Sequence, residues 1–309
     1  YLADNASGDN SLNWVSDNYP DVRIISLESN KGFAGGYNLA LDKIDAEYYI
    51  LLNSDVEVSE GWLDPLISFM DREKGVAACQ PKILSYRNRN YFEHAGAAGG
   101  FIDKFGYPYC RGRIFENAEM DNGQYDTIRD IFWASGACLC IRSAVWKEAG
   151  GFDQDFFAHM EEIDLCWRIN SLGYRIVAIP DSVVYHLGGG TLPYSSPTKV
   201  YYNFRNSLYL LYKNLPLKGR LTTLFFRKVL DGIAAIKFLL SFEFKAFYAV
   251  LRAHISYYGA KKKLNEKRKL FSIKNARYPE HLILNKSIAL NYFLRSKKQF
   301  TDNLPQDKE

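Results

Sequence analysis

One stretch limits this chain more than any other: Tyr48-Tyr-Ile-Leu-Leu-Asn-Ser-Asp-Val-Glu-Val58. Tyr48 to Leu52 runs apolar and aromatic without alternation, and polarity then arrives abruptly at Asn53, Ser54, Asp55 and Glu57. A short unbroken apolar run predicts a strand buried on both faces, as inside a parallel sheet. Carboxylates placed where such a strand ends fall at its carboxyl edge, where open α/β sheets bind ligands. Asp55 and Glu57 are hard oxygen ligands, suited to Mg²⁺ or Mn²⁺ carrying a diphosphate. Taken alone, the same stretch also describes a solvated strand exit.

The surrounding pattern supports the sheet. Tyr1–Ala3 reads as a strand end, Asp4–Ser11 as a turn, and the next segment as a helix to Asn18 capped by Asn10 or Ser11. Val22–Ser26 reads as a strand, Asn30–Asn38 as a glycine-punctuated loop entering a helix at Tyr37, and Leu63–Arg72 as a helix before a strand at Val76–Pro81. This alternation predicts a parallel sheet with right-handed crossovers. From Ile83 to Asp130 the pattern loosens into hairpins and loops. Strands are then predicted at Phe132–Arg142, Arg175–Ile179 and Val183–His186, with a helix at Glu161–Ser171. A parallel domain rarely begins on a strand end. The expectation is therefore that a strand–helix unit precedes Tyr1 and that a sequence starting there lacks part of its ligand pocket.

Charge divides the chain. Residues 1–198 carry 16 Lys and Arg against 28 Asp and Glu, whereas residues 199–309 carry 23 against 7. Long helical patterns fill the second part: Val200–Leu215, Leu221–Leu240 and Phe242–Tyr258, rich in Phe, Tyr, Leu and Ile among Lys and Arg. A basic appendage of this kind points to an anionic partner. The five cysteines form no CxxC pair, so neither a disulfide framework nor a zinc ribbon is indicated, which fits a reducing cytosol. No uncharged apolar run reaches the length of about 18 residues needed to span a bilayer.

Taken in order, Asp4-Asn-Ala-Ser-Gly-Asp9, Asn30-Lys-Gly-Phe-Ala-Gly-Gly-Tyr-Asn38, Leu51–Glu57, Ala134-Ser-Gly-Ala137, Gly151-Phe-Asp153, Met160-Glu-Glu-Ile-Asp-Leu-Cys-Trp-Arg168 and His186-Leu-Gly-Gly-Gly190 resemble the family 2 inverting nucleotide-sugar glycosyltransferases, in particular their rhamnosyltransferase-like branch. Each motif is weak alone; their order carries the resemblance. It implies an α/β fold, a GT-A-like, mostly parallel, Rossmann-like sheet over residues 1–198 lacking its first strand–helix unit, followed by a basic, aromatic-rich helical appendage over residues 199–309.

The resemblance also implies roles. Asp4 would accept a hydrogen bond from the donor's base, the alternative being an Asx-turn, which is the expected role of Asp9. Asn30, Lys31, Gly35 and Asn38 would contact donor phosphate or ribose through a helix start. Asn53 stands where the family's metal motif usually has an acid, so the metal would rest on Asp55 with help from Glu57 or His186. Glu161, Glu162 and Asp164 open a helix, where acids are often placed only by the dipole. An inverting transfer, however, needs a carboxylate to deprotonate the acceptor hydroxyl. The family's Glu-Asp-x-Asp is Glu-Glu-Ile-Asp here, which favours Glu162 by register with Glu161 close behind; Asp164 and Arg168 would hold the helix. Trp133, Ser135, Gly136 and Trp167 would face the acceptor, against the plain alternative of core aromatics.

The expected partners are a nucleotide-diphosphate sugar, a divalent metal (Mg²⁺ or Mn²⁺) and a glycan or lipid-linked acceptor in surface polysaccharide synthesis. Residues 199–300 would make peripheral contact with the inner face of the plasma membrane, or pack on the catalytic domain or on a second subunit as a homodimer. Nucleic acid is the rival for a basic, aromatic surface but is not expected. Rival functions are a nucleotidyltransferase, or a non-catalytic glycan- or nucleic-acid-binding scaffold of the same fold.

Overall fold

The computed structural model describes residues 1–93, 96–188, 196–270 and 278–303. The front region alternates as expected. β1 (Leu2–Asp4), α1 (Ser11–Asn18), β2 (Ile24–Ser26), α2 (Gly32–Leu41), β3 (Tyr48–Leu52), β4 (Val56–Val58), α3 (Leu63–Arg72) and β5 (Val76–Ser85) come first. Short strands follow: β6 (Gly100–Asp103), β7 (Pro108–Cys110), β8 (Arg113–Ile114), β9 (Asn117–Ala118) and β10 (Arg129–Asp130). Next come β11 (Cys138–Arg142), α4 (Ser143–Glu148), α5 (Glu161–Ser171) and β12 (Arg175–His186). The chain then turns helical through α6 (Pro197–Asn214), α7 (Leu217–Leu240) and α8 (Phe244–Leu270), and returns through β13 (Ile283–Leu284) and α9 (Ile288–Arg295).

The central sheet runs β10-β12-β5-β11-β3, with β4 also on β12. It is mixed: β12 pairs with β5 in parallel, but β11 runs antiparallel to both β5 and β3. β5 is buried from Val76 to Leu84, as a strand paired on both edges and covered on both faces must be. β3 differs from expectation. Among the described strands it pairs only with β11, and its burial alternates, with Tyr49 and Leu51 inside and Leu52 exposed. β12 is one strand rather than two. A register irregularity between Ile179 and Val183 brackets Pro180, which cannot donate to the ladder. The expected strand at Phe132–Arg142 shortens to β11, because Trp133 and Ser135 are drawn into loop contacts.

α2 begins at Gly32, five residues before the expected Tyr37. Its glycines are used for closeness: Gly32 has φ +72°, and a Cβ there would stand 2.6 Å from the Phe157 ring. β6 to β9 make a second sheet that β13 joins in parallel, so the C-terminal segment is sewn back onto the front region. Asp103 strengthens that seam by accepting hydrogen bonds from the backbone N–H groups of Phe105, Tyr107 and Ile288.

The charge split of the sequence is resolved across α6 and α8. Lys213 of α6 donates to Asp153 at 2.5 Å and to Asp164 at 2.9 Å, and Lys267 of α8 also pairs with Asp153. Burial pushes the Asp153 carboxyl up, but the two ammonium groups outweigh it and hold the pKa well below the ordinary value.

Candidate active site

The site forms where β3 and β12 end and β11 begins. The Asn53 N–H donates to Ala137 O at 3.0 Å, which ties the turn after β3 to the segment Ala134–Ala137. The Leu187 N–H donates to Asp55 O at 3.0 Å, which brings the end of β12 beside the same turn. His186 is therefore set against Asp55, with Nε2 3.2 Å from Asp55 Oδ1 yet out of line for a hydrogen bond. On its other side, Nδ1 lies 3.1 Å from Glu93 Oε2. Burial lowers the imidazole pKa, but Glu93 and Asp55 outweigh it and raise the value above the ordinary one.

Glu93 is the residue that reading the sequence missed. Its carboxylate is buried, and its partner lies 93 residues further along the chain. The arrangement suits a divalent cation: a carboxylate orients one ring nitrogen and leaves the other, unaligned, facing a second carboxylate. No group of three or more acidic, His or Cys side chains able to hold a metal occurs among the described residues. Two protein ligands are nevertheless what Mg²⁺ or Mn²⁺ sites use when substrate phosphates complete the shell. Glu57 is not the third ligand expected from the sequence. β4 points it outward to Arg89, 2.8 Å away at the exposed surface.

Facing this turn is the start of α5. Glu161 and Glu162 each leave one carboxylate oxygen, Oε2, buried and unpartnered. Burial raises the Glu161 pKa strongly and the Glu162 pKa to about 7, against the lowering pull of backbone N–H groups. The helix N-terminus favours an anion here by about 0.3–1 kcal/mol, and burial overrides it. Glu161 is 4% exposed, whereas Glu162 keeps partial access. Gly136 lies beside it: a Cβ on Gly136 would meet Phe33 at 3.1 Å and Glu162 Cβ at 4.0 Å. Burial pushes the Cys110 thiol up to about 12, with smaller contributions from the charges of Glu93 and Glu162.

The segment entering α5 is strained. Phe157, His159 and Met160 all have positive φ, at 63°, 68° and 73°. α6 holds it in place. The buried Asn206 amide donates to the carbonyls of Phe156, Ala158 and His159, and Arg205 donates to those of Asp155 and Phe156. Burial, with Lys199 nearby, lowers the His159 pKa to about 4, so the ring is neutral; its Nε2 is unpartnered.

Several expected contacts have other work. The first N–H groups of α2 are all engaged: Lys31 by Asn5 Oδ1, Gly32 by Asn30 Oδ1, and Phe33 and Ala34 by Phe157 O. That helix start offers no free donor cradle for a phosphate. Gly35 is buried inside α2, and Asn38 clamps both backbone groups of Phe152. Asp4 accepts from the Ser7 N–H and Asp9 from Ser11, each as a turn residue, although Asp4 is also buried at the end of β1. Trp133 is core: its Nε1 donates to Phe101 O and its ring covers Gly100. Ser135 is buried, receiving the Ala137 N–H on its hydroxyl. Trp167 packs edge-on against Phe132. Asp164 is fully buried and saturated by Arg168, Lys213 and Asn214, so it holds α5 rather than meeting a substrate.

Known proteins resemble this chain in sequence and in fold. Residues 1–136 match the model of glycosyl transferase family 2. Over 200 residues the chain is 27% identical to an N-acetylglucosaminyl-diphospho-decaprenol L-rhamnosyltransferase of Mycobacterium tuberculosis, a match covering 60% of this chain and 65% of that protein. It is 24% identical to the dTDP-rhamnosyl transferase RfbF of Shigella flexneri over 62% of this chain and 64% of that one. The chain thus spans a little under two thirds of these relatives. Among solved structures, GalNAc-T7 with UDP, GalNAc and Mn²⁺ superposes with a TM-score of 0.50 at 16% identity, covering 69% of this chain and 42% of that one, which shows a GT-A fold.

Proposed function

We propose that this chain transfers a sugar from a nucleotide-diphosphate donor to a hydroxyl of a glycan or lipid-linked acceptor, with inversion, in polysaccharide synthesis on the cytoplasmic side of the membrane. The carrying observation is Glu162: a residue of intermediate exposure whose carboxylate keeps one buried, unpartnered oxygen and a pKa of about 7, the value a general base needs at neutral pH. The acceptor oxygen attacks the anomeric carbon as the carbon–oxygen bond to the diphosphate breaks on the opposite face. The hydroxyl proton passes to Glu162, and the bonding electrons leave with the diphosphate. Asp55 and His186 would hold Mg²⁺ or Mn²⁺, with Glu93 fixing the imidazole. When bound, such an ion neutralises charge on the departing diphosphate. Glu161, whose own proton affinity is raised by burial and by Glu162, places a second carboxyl beside the base. Rhamnose is the first sugar to test, because the relatives are named for it.

The experiment is turnover of a panel of nucleotide sugars by wild type, Glu162→Gln and Glu161→Gln. Loss confined to Glu162→Gln supports the assignment; equal loss in both reassigns the base to the pair, and full activity in Glu162→Gln removes it.

A further inference from the structure

We propose that the hairpin of α7 and α8 is a docking surface that lies in the plane of an anionic lipid bilayer. Leu221, Phe225, Val229, Ile233, Ile236 and Leu240 recur along α7 at helical spacing, and all are between 45% and 74% exposed. The opposite side of the helix, at Leu224, Arg227, Asp231 and Ala235, is buried. A helix that only packs on a core turns its apolar stripe inward; α7 carries a second one outward. At 1.5 Å per residue that stripe is about 29 Å long, more than the scattered exposed apolar residues normal on a monomer. α8 repeats the device with Phe244, Tyr248, Leu251, Ile255 and Tyr258, all exposed at alternating spacings of four and three.

The two stripes meet at the hairpin tip. Leu240, Phe242 and Phe244 are exposed there, Phe242 by 79%, and the two phenyl rings touch at 6.1 Å. Phe242 stands at φ 61°, a costly conformation for a bulky side chain. Holding its ring out in water stabilises nothing in the protein itself.

Charge selects the occupant. By helical position Lys228 and Lys237 border the α7 stripe on its two sides, and Lys245 and Arg252 lie along one edge of the α8 stripe. Lys261 and Lys262 follow, Lys263 being paired with Asp155, and the acids between residues 217 and 263 are Asp231, buried against Arg227 and His254, and Glu243. Apolar centres bordered by cations match a headgroup layer over acyl chains, with the lysine stems snorkelling. A second copy laid on the same face would bring like charges together, and nucleic acid would meet aliphatic side chains at the centre. No described helix is long and apolar enough to cross a membrane, so the hairpin would lie in the interface.

The test needs no sugar chemistry. The full chain is sedimented with vesicles of phosphatidylcholine alone and with added phosphatidylglycerol, at low and high salt. The chain should pellet with the anionic vesicles, less with the neutral ones and less at high salt. The exposed-site variant Ile233→Asp/Phe242→Asp should partition at least about tenfold more weakly, with unchanged circular dichroism and Tm. Wild type that stays in solution with anionic vesicles, or a variant that binds equally, overturns the proposal. So does a lipid-free dimer that Ile233→Asp dissociates, which would assign the face to a second copy, or steeply salt-dependent nucleic-acid binding without vesicle binding.

Discussion

The front region and the helical region break the same burial rule in opposite directions. In the front region, Glu161, Glu162, Glu93 and His186 put ionisable groups inside, some without partners. In the helical region, α7 and α8 put Leu, Ile and Phe outside. Chains that follow the rule everywhere are only stable; departures from it mark where a molecule meets something else. The two departures are also joined. The cations of α6 and α8 that pair with Asp153 and Asp164 fix the frame around the unpaired carboxylates, so the basic region supports the acidic site as well as presenting its own surface.

The sharpest way to break this comparison is Glu162→Gln. Removing a general base should cost roughly 10²–10⁴-fold in turnover. Stability should move the other way. The folded pKa is raised from 4.5 to about 7, so the folded state holds the proton more tightly and wild type loses stability as pH rises between those values. The variant should therefore melt above wild type at pH 8, with the gap closing near pH 4, as scanning calorimetry across pH would show. The activity of wild type should rise as pH climbs through about 7.

Next in size is Lys213→Met, which removes the cation shared by the buried Asp153 and Asp164 and leaves them Lys267 and Arg168. It should lower stability by about 3–5 kcal/mol in denaturant unfolding, although the lysine lies in the region read from sequence as an appendage. Asn206→Ala releases the strained carbonyls ahead of α5 and should cost about 1–3 kcal/mol. It should also depress kcat more than donor binding, since α5 carries the base; a uniform loss of stability with kcat unchanged would mean that α6 only packs. The smallest effect is expected of Glu57→Gln. Its carboxylate faces Arg89 at the surface, so Tm and metal dependence should match wild type in melts and metal titrations.

What could be read from the sequence follows from range. The strand and helix patterns placed Asp55, His186 and Glu162 at element ends, and the resemblance to family 2 transferases supplied the roles expected of His186 and Glu162. The order of front elements was legible for the same reason. Glu93 was not, because it sits in an irregular segment and gains its meaning from a partner 93 residues away. The start of α2 was misplaced because glycines read as a loop, whereas here they let the helix approach Phe157 closely. Trp133 looked like a site residue by position, yet its partner, Phe101 O, comes from a segment that no local pattern links to it. The return of β13 and α9 to the front region was equally invisible, being a pairing of two short segments across the chain.

The most direct measurement is calorimetric binding of nucleotide sugars, with Mn²⁺ and with chelator, to wild type and Asp55→Asn. The account predicts Mn²⁺-dependent binding of at least one donor by wild type and loss of that dependence in Asp55→Asn. Donor affinity that is the same in chelator and in Asp55→Asn as in wild type with Mn²⁺ would contradict it.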